Sequence, residues 1–158
     1  MEEKVREALL RFFSGLLEVL GEEGKVEVRE EAGAVYVNLL GRFKSLAQED
    51  EELRAALARL AGLHLKVTLR ETVNLEVDIN GQEEGRRKKL LARALALAQR
   101  VREEKRSIEL EPMPPKDRRL IHLALANFPG VRTYSVGKGE DRRVVIAPAE
   151  ASGSEAAR

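Results

Sequence analysis

Residues 110–135 read Leu-Glu-Pro-Met-Pro-Pro-Lys-Asp-Arg-Arg-Leu-Ile-His-Leu-Ala-Leu-Ala-Asn-Phe-Pro-Gly-Val-Arg-Thr-Tyr-Ser. Pro112, Pro114 and Pro115 signal a turn and then a helix start, because proline's fixed φ suits the first helical turn. Asp117 puts a negative charge near the positive end of that helix. The helix is predicted to run to about Asn127, where Phe128-Pro129-Gly130 breaks it. Val131–Val136 and Arg142–Ala147 then read as paired strands across Gly137-Lys138-Gly139-Glu140-Asp141. Within the helix, Ile121, Ala124, Leu125 and Phe128 form an apolar stripe. Arg118 and His122 flank it, four residues apart and so one above the other.

Upstream, Ile108-Glu109-Leu110 is a short strand, preceded by a helical pattern from Gln82 to Arg106. The apolar stripe of that helix is Leu90, Leu91, Ala94, Leu97, Ala98 and Val101. Arg86, Lys89, Arg93 and Arg100 lie on another face, either as an extension of a basic track or as an ordinary solvated surface. Val73, Leu75, Val77 and Ile79 alternate with polar residues as a strand, stopped by Asn80-Gly81. At the other end of the chain, Val5, Leu9, Phe12, Phe13, Leu16, Leu17 and Leu20 recur at helical spacing, ended by Gly21 and Gly24. Lys25–Arg29 and Ala34–Leu39 alternate as a hairpin. Residues 41–50 are a loop or a short helix, and a helix begins at Glu51 with Leu53, Ala56, Leu57 and Leu60 on one face. Leu63, Leu65, Val67 and Leu69 alternate as a strand would, although Leu60, Leu63 and Val67 equally extend the helix. The order is αββααβ followed by αβαββ. Such mixed runs predict an α+β chain of two small modules, residues 1–82 and 83–148, with a disordered tail at 149–158.

Composition narrows the chemistry. The 158 residues include no cysteine and two histidines, His64 and His122, far apart in sequence. Disulfides, thiolate metal sites and cysteine nucleophiles are excluded, and a zinc enzyme is disfavoured. No apolar run approaches the roughly 20 residues of a membrane span. No basic region followed by an apolar stretch marks a secretory signal, so a cytoplasmic protein is expected. The net charge of +1 hides a split. Residues 1–82 carry 11 Lys/Arg against 16 Asp/Glu (−5), and residues 83–158 carry 17 against 11 (+6). A basic second half points to a polyanionic partner, with a merely solubilising surface as the bland alternative.

An arginine fork and an imidazole on one helical face can both donate to a phosphate, and free N–H groups at a helix start would add to the site. The competing reading makes His122 a half-buried histidine on a backbone carbonyl. It makes Arg118 a surface arginine paired with Asp117 or Glu111.

The stretch from Leu110 to Ser135 closely resembles the R-3-H domain of the bacterial Jag (KhpB) family. Gly137 and Arg142-Arg143-Val144-Val145-Ile146 continue the match. Leu75-Glu-Val-Asp-Ile-Asn-Gly81 resembles that family's last KH strand and the turn into the long helix, and residues 1–81 follow the family's KH order. The resemblance implies a cytoplasmic, non-enzymatic protein in which a KH module precedes an R-3-H module and single-stranded RNA is bound. It makes Arg118 and His122 the signature pair and places Arg142 near the start of the final strand. It also extends the helix through residues 63–70. Two departures stand out. The KH grip is a Gly-x-x-Gly loop, but the corresponding Ala47-Gln48-Glu49-Asp50-Glu51-Glu52 has no glycine and four consecutive acids. These would repel phosphates, so the KH module is expected to be a degenerate scaffold or a protein-contact surface. The nearest glycine-led stretch, Gly41-Arg42-Phe43-Lys44, has lysine in the fourth place. The family's separate N-terminal domain is not matched, which sets aside any function tied to it.

The expected nucleic-acid site is therefore Arg118, His122, Arg119, Arg132, Lys138, Arg142 and Arg143, with no catalytic residue, metal or cofactor. Phosphate contacts would dominate, giving weak sequence selectivity and steep salt dependence. Aromatic residues are 4% of the chain and Tyr134 is the one near the basic cluster, which argues against an RRM-like stacking platform. Single-stranded DNA, a small KH-domain protein and self-association are further partners left open. The alternatives are a protein-interaction scaffold and, least favoured, a phosphodiesterase using His122. The latter lacks a second nearby histidine, a carboxylate metal cluster and a phosphate-binding glycine loop.

Overall fold

The structure is a computed structural model that describes residues 1–31 and 33–149. The chain divides into two compact units, Met1–Gly85 and the residues from Arg86 onward.

In the first unit, α1 (Glu3–Val19) buries Val5, Ala8, Leu9, Phe13 and Leu17, one face of a 3.6-residue period. β1 (Lys25–Glu31) and β2 (Ala34–Leu40) pair antiparallel in the register Lys25↔Leu40 to Glu31↔Ala34. β1 is an edge strand and five of its seven residues are charged. β2 is central and is buried from Val35 to Leu39. α2 (Glu51–Leu69) then crosses back so that β3 (Leu75–Ile79) runs parallel to β2, a pairing that needs such a crossover. Phe13, Leu9, Val37, Leu39, Leu65 and Ile79 fill the core of this unit.

One expectation is corrected here, and one reading left open by the sequence resolves to the helix that the family resemblance implies. The observed order is αββαβ, with no helix between residues 41 and 50. The N–H groups of Lys44 and Ser45 donate instead to the Glu22 carboxylate, at 2.9 and 2.6 Å. Gly41 also sits so close to Glu23 that a Cβ would lie 2.6 Å from its carbonyl oxygen. Residues 63–69 are helical, so the strand-like alternation misleads. Leu57, Ala61 and Leu65 are buried at four-residue spacing, while Leu63 and Val67 stay exposed. The helix ends at Arg70, which takes the left-handed conformation at φ 60.

α3 (Gln82–Glu104) starts on a carboxylate. Asp78, at 1% exposure, accepts from the N–H groups of Glu83 and Glu84, both at 3.0 Å, and from the Tyr36 hydroxyl at 2.6 Å. Its acceptor capacity thus caps the helix and satisfies a buried phenol.

In the second unit, β4 (Ile108–Glu109), β6 (Arg143–Pro148) and β5 (Val131–Val136) form an antiparallel sheet in the order β4-β6-β5. α4 (Pro115–Leu125) follows Pro114, with proline at the first helical position. A single 3-10 turn, Gly139–Asp141, lies between β5 and β6. Ala94, Ala98 and Val101 of α3, Ile121 and Leu125 of α4, and Val144 and Ile146 of β6 form the core. Ala124, expected in the buried stripe, is exposed. Asp117 is buried at the start of α4 and takes both ends of the Arg86 guanidinium, at 2.9 and 2.8 Å. This bidentate pair ties α4 to α3. The predicted tail lies outside the described residues except for Ala149, whose N–H donates to Gly130 O at 3.0 Å.

Candidate nucleic-acid interface

Arg118 and His122 stand one turn apart on α4, and both reach the same residue of β5. His122 Nε2 lies 2.9 Å from Ser135 Oγ, and its Nδ1 lies 2.7 Å from Thr133 Oγ1. Arg118 Nη1 approaches Ser135 Oγ at 3.5 Å, and its Nε donates to Met113 O at 3.2 Å. Thr133 and Ser135 are two apart on a strand and therefore share the face turned to α4. Burial holds His122 below the ordinary histidine pKa of 6.5, and the charges of Arg118 and Arg142 push it further down. The ring is thus neutral at pH 7, accepting from one hydroxyl and donating to the other. Sequence alone makes His122 a second phosphate donor. In the structure both of its nitrogens have hydroxyl partners, Thr133 and Ser135.

Arg142 completes the cluster. Its Nη1 donates to Gly137 O at 2.9 Å. Gly137 has φ +86, and a Cβ there would sit 2.7 Å from Asp141 O, so this turn requires glycine.

The other expected residues fall in three places. Arg119 and Lys138 are exposed, beside Arg118 and just after Gly137 respectively. Arg132 lies on the opposite face of β5, with its guanidinium 5.2 Å from the Tyr134 ring centroid. Arg143 is held by Glu109 at 2.7 Å and by Asp141 O at 3.1 Å. The structure therefore brings Arg118, His122 and Arg142 together and sets Arg132 and Arg143 apart from them. Sequence reading misses Thr133 and Ser135. The signal that could find them is the two-residue strand period beside a helix carrying Arg118 and His122.

The bland reading of the pair does not hold in detail. Asp117 is taken by Arg86 and Glu111 by Arg93 at 3.5 Å, and His122 bonds hydroxyls rather than a carbonyl. The basic stripe of α3 is largely neutralised, since Arg86, Arg93 and Arg100 each have an acid partner.

In the first unit, the loop without glycine serves the fold. Asp50 caps α2 by accepting from Leu53 N at 2.9 Å, and Gln48 O accepts from Arg54 Nη1 at 2.6 Å. Glu49, Glu51 and Glu52 are exposed. Among the described residues no group of three His, Asp or Glu is placed to hold a metal ion, and no helix is long and apolar enough to cross a membrane.

Comparison with known proteins adds the following. The R-3-H domain family matches residues 88–148. The RNA-binding protein KhpB of Bacillus subtilis is 31% identical over 139 residues, covering 85% of this chain and 66% of that protein. KhpB of Clostridium symbiosum is 33% identical over 122 residues, covering 77% of this chain and 55% of that protein. KhpB of Streptococcus pneumoniae serotype 2 is 35% identical over 91 residues, covering 58% and 28%. The chain thus spans less than two thirds of the length of these relatives.

Proposed function

We propose that this chain, a homologue of the KhpB (Jag) proteins that carries an R-3-H domain over residues 88–148, is a non-catalytic protein that binds single-stranded RNA. The observation that carries the reading is the convergence of Arg118, Arg142, Ser135 and the neutral His122 on one side of β5. Two guanidinium groups supply charge for a phosphate, and the hydroxyl that accepts from the imidazole N–H keeps its own proton as a directed donor. Arg119 and Lys138, whose side chains have no ion pair among the described residues, extend the positive field. In this reading residues 1–82 are a KH-like module without the phosphate grip, residues 83–148 are the binding module, and the protein works in the cytoplasm.

The exposed acids at 49–52 support assigning no phosphate contact to the first module. A scaffold that meets no nucleic acid is not favoured, since each relative above is named an RNA-binding protein.

The test is fluorescence anisotropy of a labelled single-stranded RNA with the full chain and with an Arg118→Ala/Arg142→Ala double variant. Binding by the parent and a loss of about a hundredfold in the variant is the expected result, taking each charge-assisted contact at about 1.5 kcal/mol. Equal affinity of the two proteins would remove this cluster from the interface. A single-stranded DNA of the same sequence reads the RNA preference.

A further inference from the structure

The face of the β4-β6-β5 sheet turned away from α4 is not part of the cluster just described. Register puts Tyr134 opposite Val145 and Arg132 opposite Ala147 on that face. Val145 and Ala147 are buried, yet neither belongs to the apolar cluster on the helix side. Tyr134 keeps 38% of its surface exposed, with the Arg132 guanidinium over its ring. The other aromatic residue described in this unit, Phe128, is half-buried against the core beneath Arg102. Tyr134 is therefore the one exposed aromatic ring among the described residues of the unit.

Its position along β5 gives the ring a use. β5 is an edge strand, so one side of it is unpaired. Thr133 and Ser135 face the phosphate cluster, and Tyr134, between them, faces the other way. Adjacent strand residues are only about 3.3 Å apart along the chain, so the two faces are separated by little more than the strand itself. A flexible single strand crossing the free edge would have its phosphates on one side and a base on the other.

We propose that Tyr134, backed by Arg132, stacks one nucleobase of the strand whose phosphates are held at Arg118 and Arg142. This rests on the RNA-binding reading and adds a base contact to it. Stacking on a tyrosine face is tolerant of base identity, and the cationic neighbour strengthens it. A single ring pins one base and does not make a multi-base platform.

The experiment compares an oligouridine with an abasic ribose-phosphate strand of equal length. It uses the full chain and its Tyr134→Leu and Tyr134→Phe variants. Leucine keeps apolar cover over Val145 and removes the π-face, whereas phenylalanine keeps both. The parent should bind the oligouridine about tenfold tighter than the abasic strand. Tyr134→Leu should abolish that preference while leaving the abasic affinity unchanged, and Tyr134→Phe should retain it. Equal affinity of the parent for the two strands would overturn the stacking role and leave phosphate binding standing. So would a Tyr134→Leu variant that loses both strands equally. Failure of the parent to bind either strand would overturn the RNA reading and this proposal with it.

Discussion

His122 Nε2 lies 2.9 Å from the Ser135 hydroxyl, so α4 and β5 meet through a polar contact at the rim of the core. The same hydroxyl is 3.5 Å from Arg118 Nη1. Ser135 is thus the group that both signature side chains approach. Ser135→Ala removes a hydrogen-bond partner worth about 1 kcal/mol, which should weaken RNA binding roughly fivefold. Anisotropy measures the affinity, and an unchanged melting temperature would show that the loss is local. Unchanged affinity would show that the hydroxyl only packs.

Arg118 and Arg143 should separate in a salt titration. Each phosphate contact contributes about one unit to the slope of log K against log salt. Arg118→Ala should lower the slope by about one. Arg143 is already neutralised by Glu109 at 2.7 Å, so Arg143→Ala should leave the slope nearly unchanged. The reverse ranking would move the phosphate path to the other face of the sheet.

Protonation of His122 gives a pH signature of determined sign. Burial, followed by the charges of Arg118 and Arg142, holds its folded pKa below the ordinary 6.5. Between the folded and unfolded values the unfolded chain binds more protons, so stability rises with pH in that window. The contribution is complete above about 6.5 and is lost as pH falls from there through the folded value. Bound phosphates favour the charged ring, so RNA should raise this pKa and bind more tightly as pH drops below 7. NMR titration of the His122 ring proton, with and without oligonucleotide, checks both shifts. A midpoint unmoved by saturating RNA would place the phosphates elsewhere.

Asp78 is the corresponding point in the first unit. Burial alone would raise its pKa. The Tyr36 hydroxyl and the N–H groups of Glu84, Glu83 and Ile79 outweigh that and lower it. Its stabilisation is therefore present above the ordinary carboxylate pKa and is lost as pH falls through the folded value. Asp78→Ala leaves a buried phenol and two helix-start donors unmatched, at a cost of about 3 kcal/mol. Amide exchange on β2 and β3 should accelerate about a hundredfold, with the second unit unaffected. No acceleration would mean that water replaces the carboxylate freely.

The second unit is largely legible in the sequence because its signals are local. Three prolines, Phe128-Pro129-Gly130 and the Gly137 turn punctuate it, and Arg118 and His122 share a face by spacing alone. The first unit is harder to read. Leu63, Leu65, Val67 and Leu69 alternate like a strand, yet only the tertiary burial of Leu57, Ala61 and Leu65 selects the helix. The loop found in place of the short helix is tied to Glu22, some twenty residues away, through the N–H groups of Lys44 and Ser45. A carboxylate reaching that far leaves no periodic trace. In the candidate site, the seven basic residues can be gathered by charge but not sorted by face. That sorting needs the strand register, which puts Thr133 with Ile146 on one side and Tyr134 with Val145 on the other.

β1, the charged outer strand of the first sheet, has a consequence for the protein in a crowded solution. An unpaired strand edge is a template on which another molecule can grow a shared sheet. Here Lys25, Glu27, Arg29, Glu30 and Glu31 line that edge. An incoming backbone would have to bury or strip water from several charges, so fibre-like growth from this side is suppressed. The second module keeps the free edge of β5 far less charged, as the proposed crossing of a nucleic-acid strand there requires.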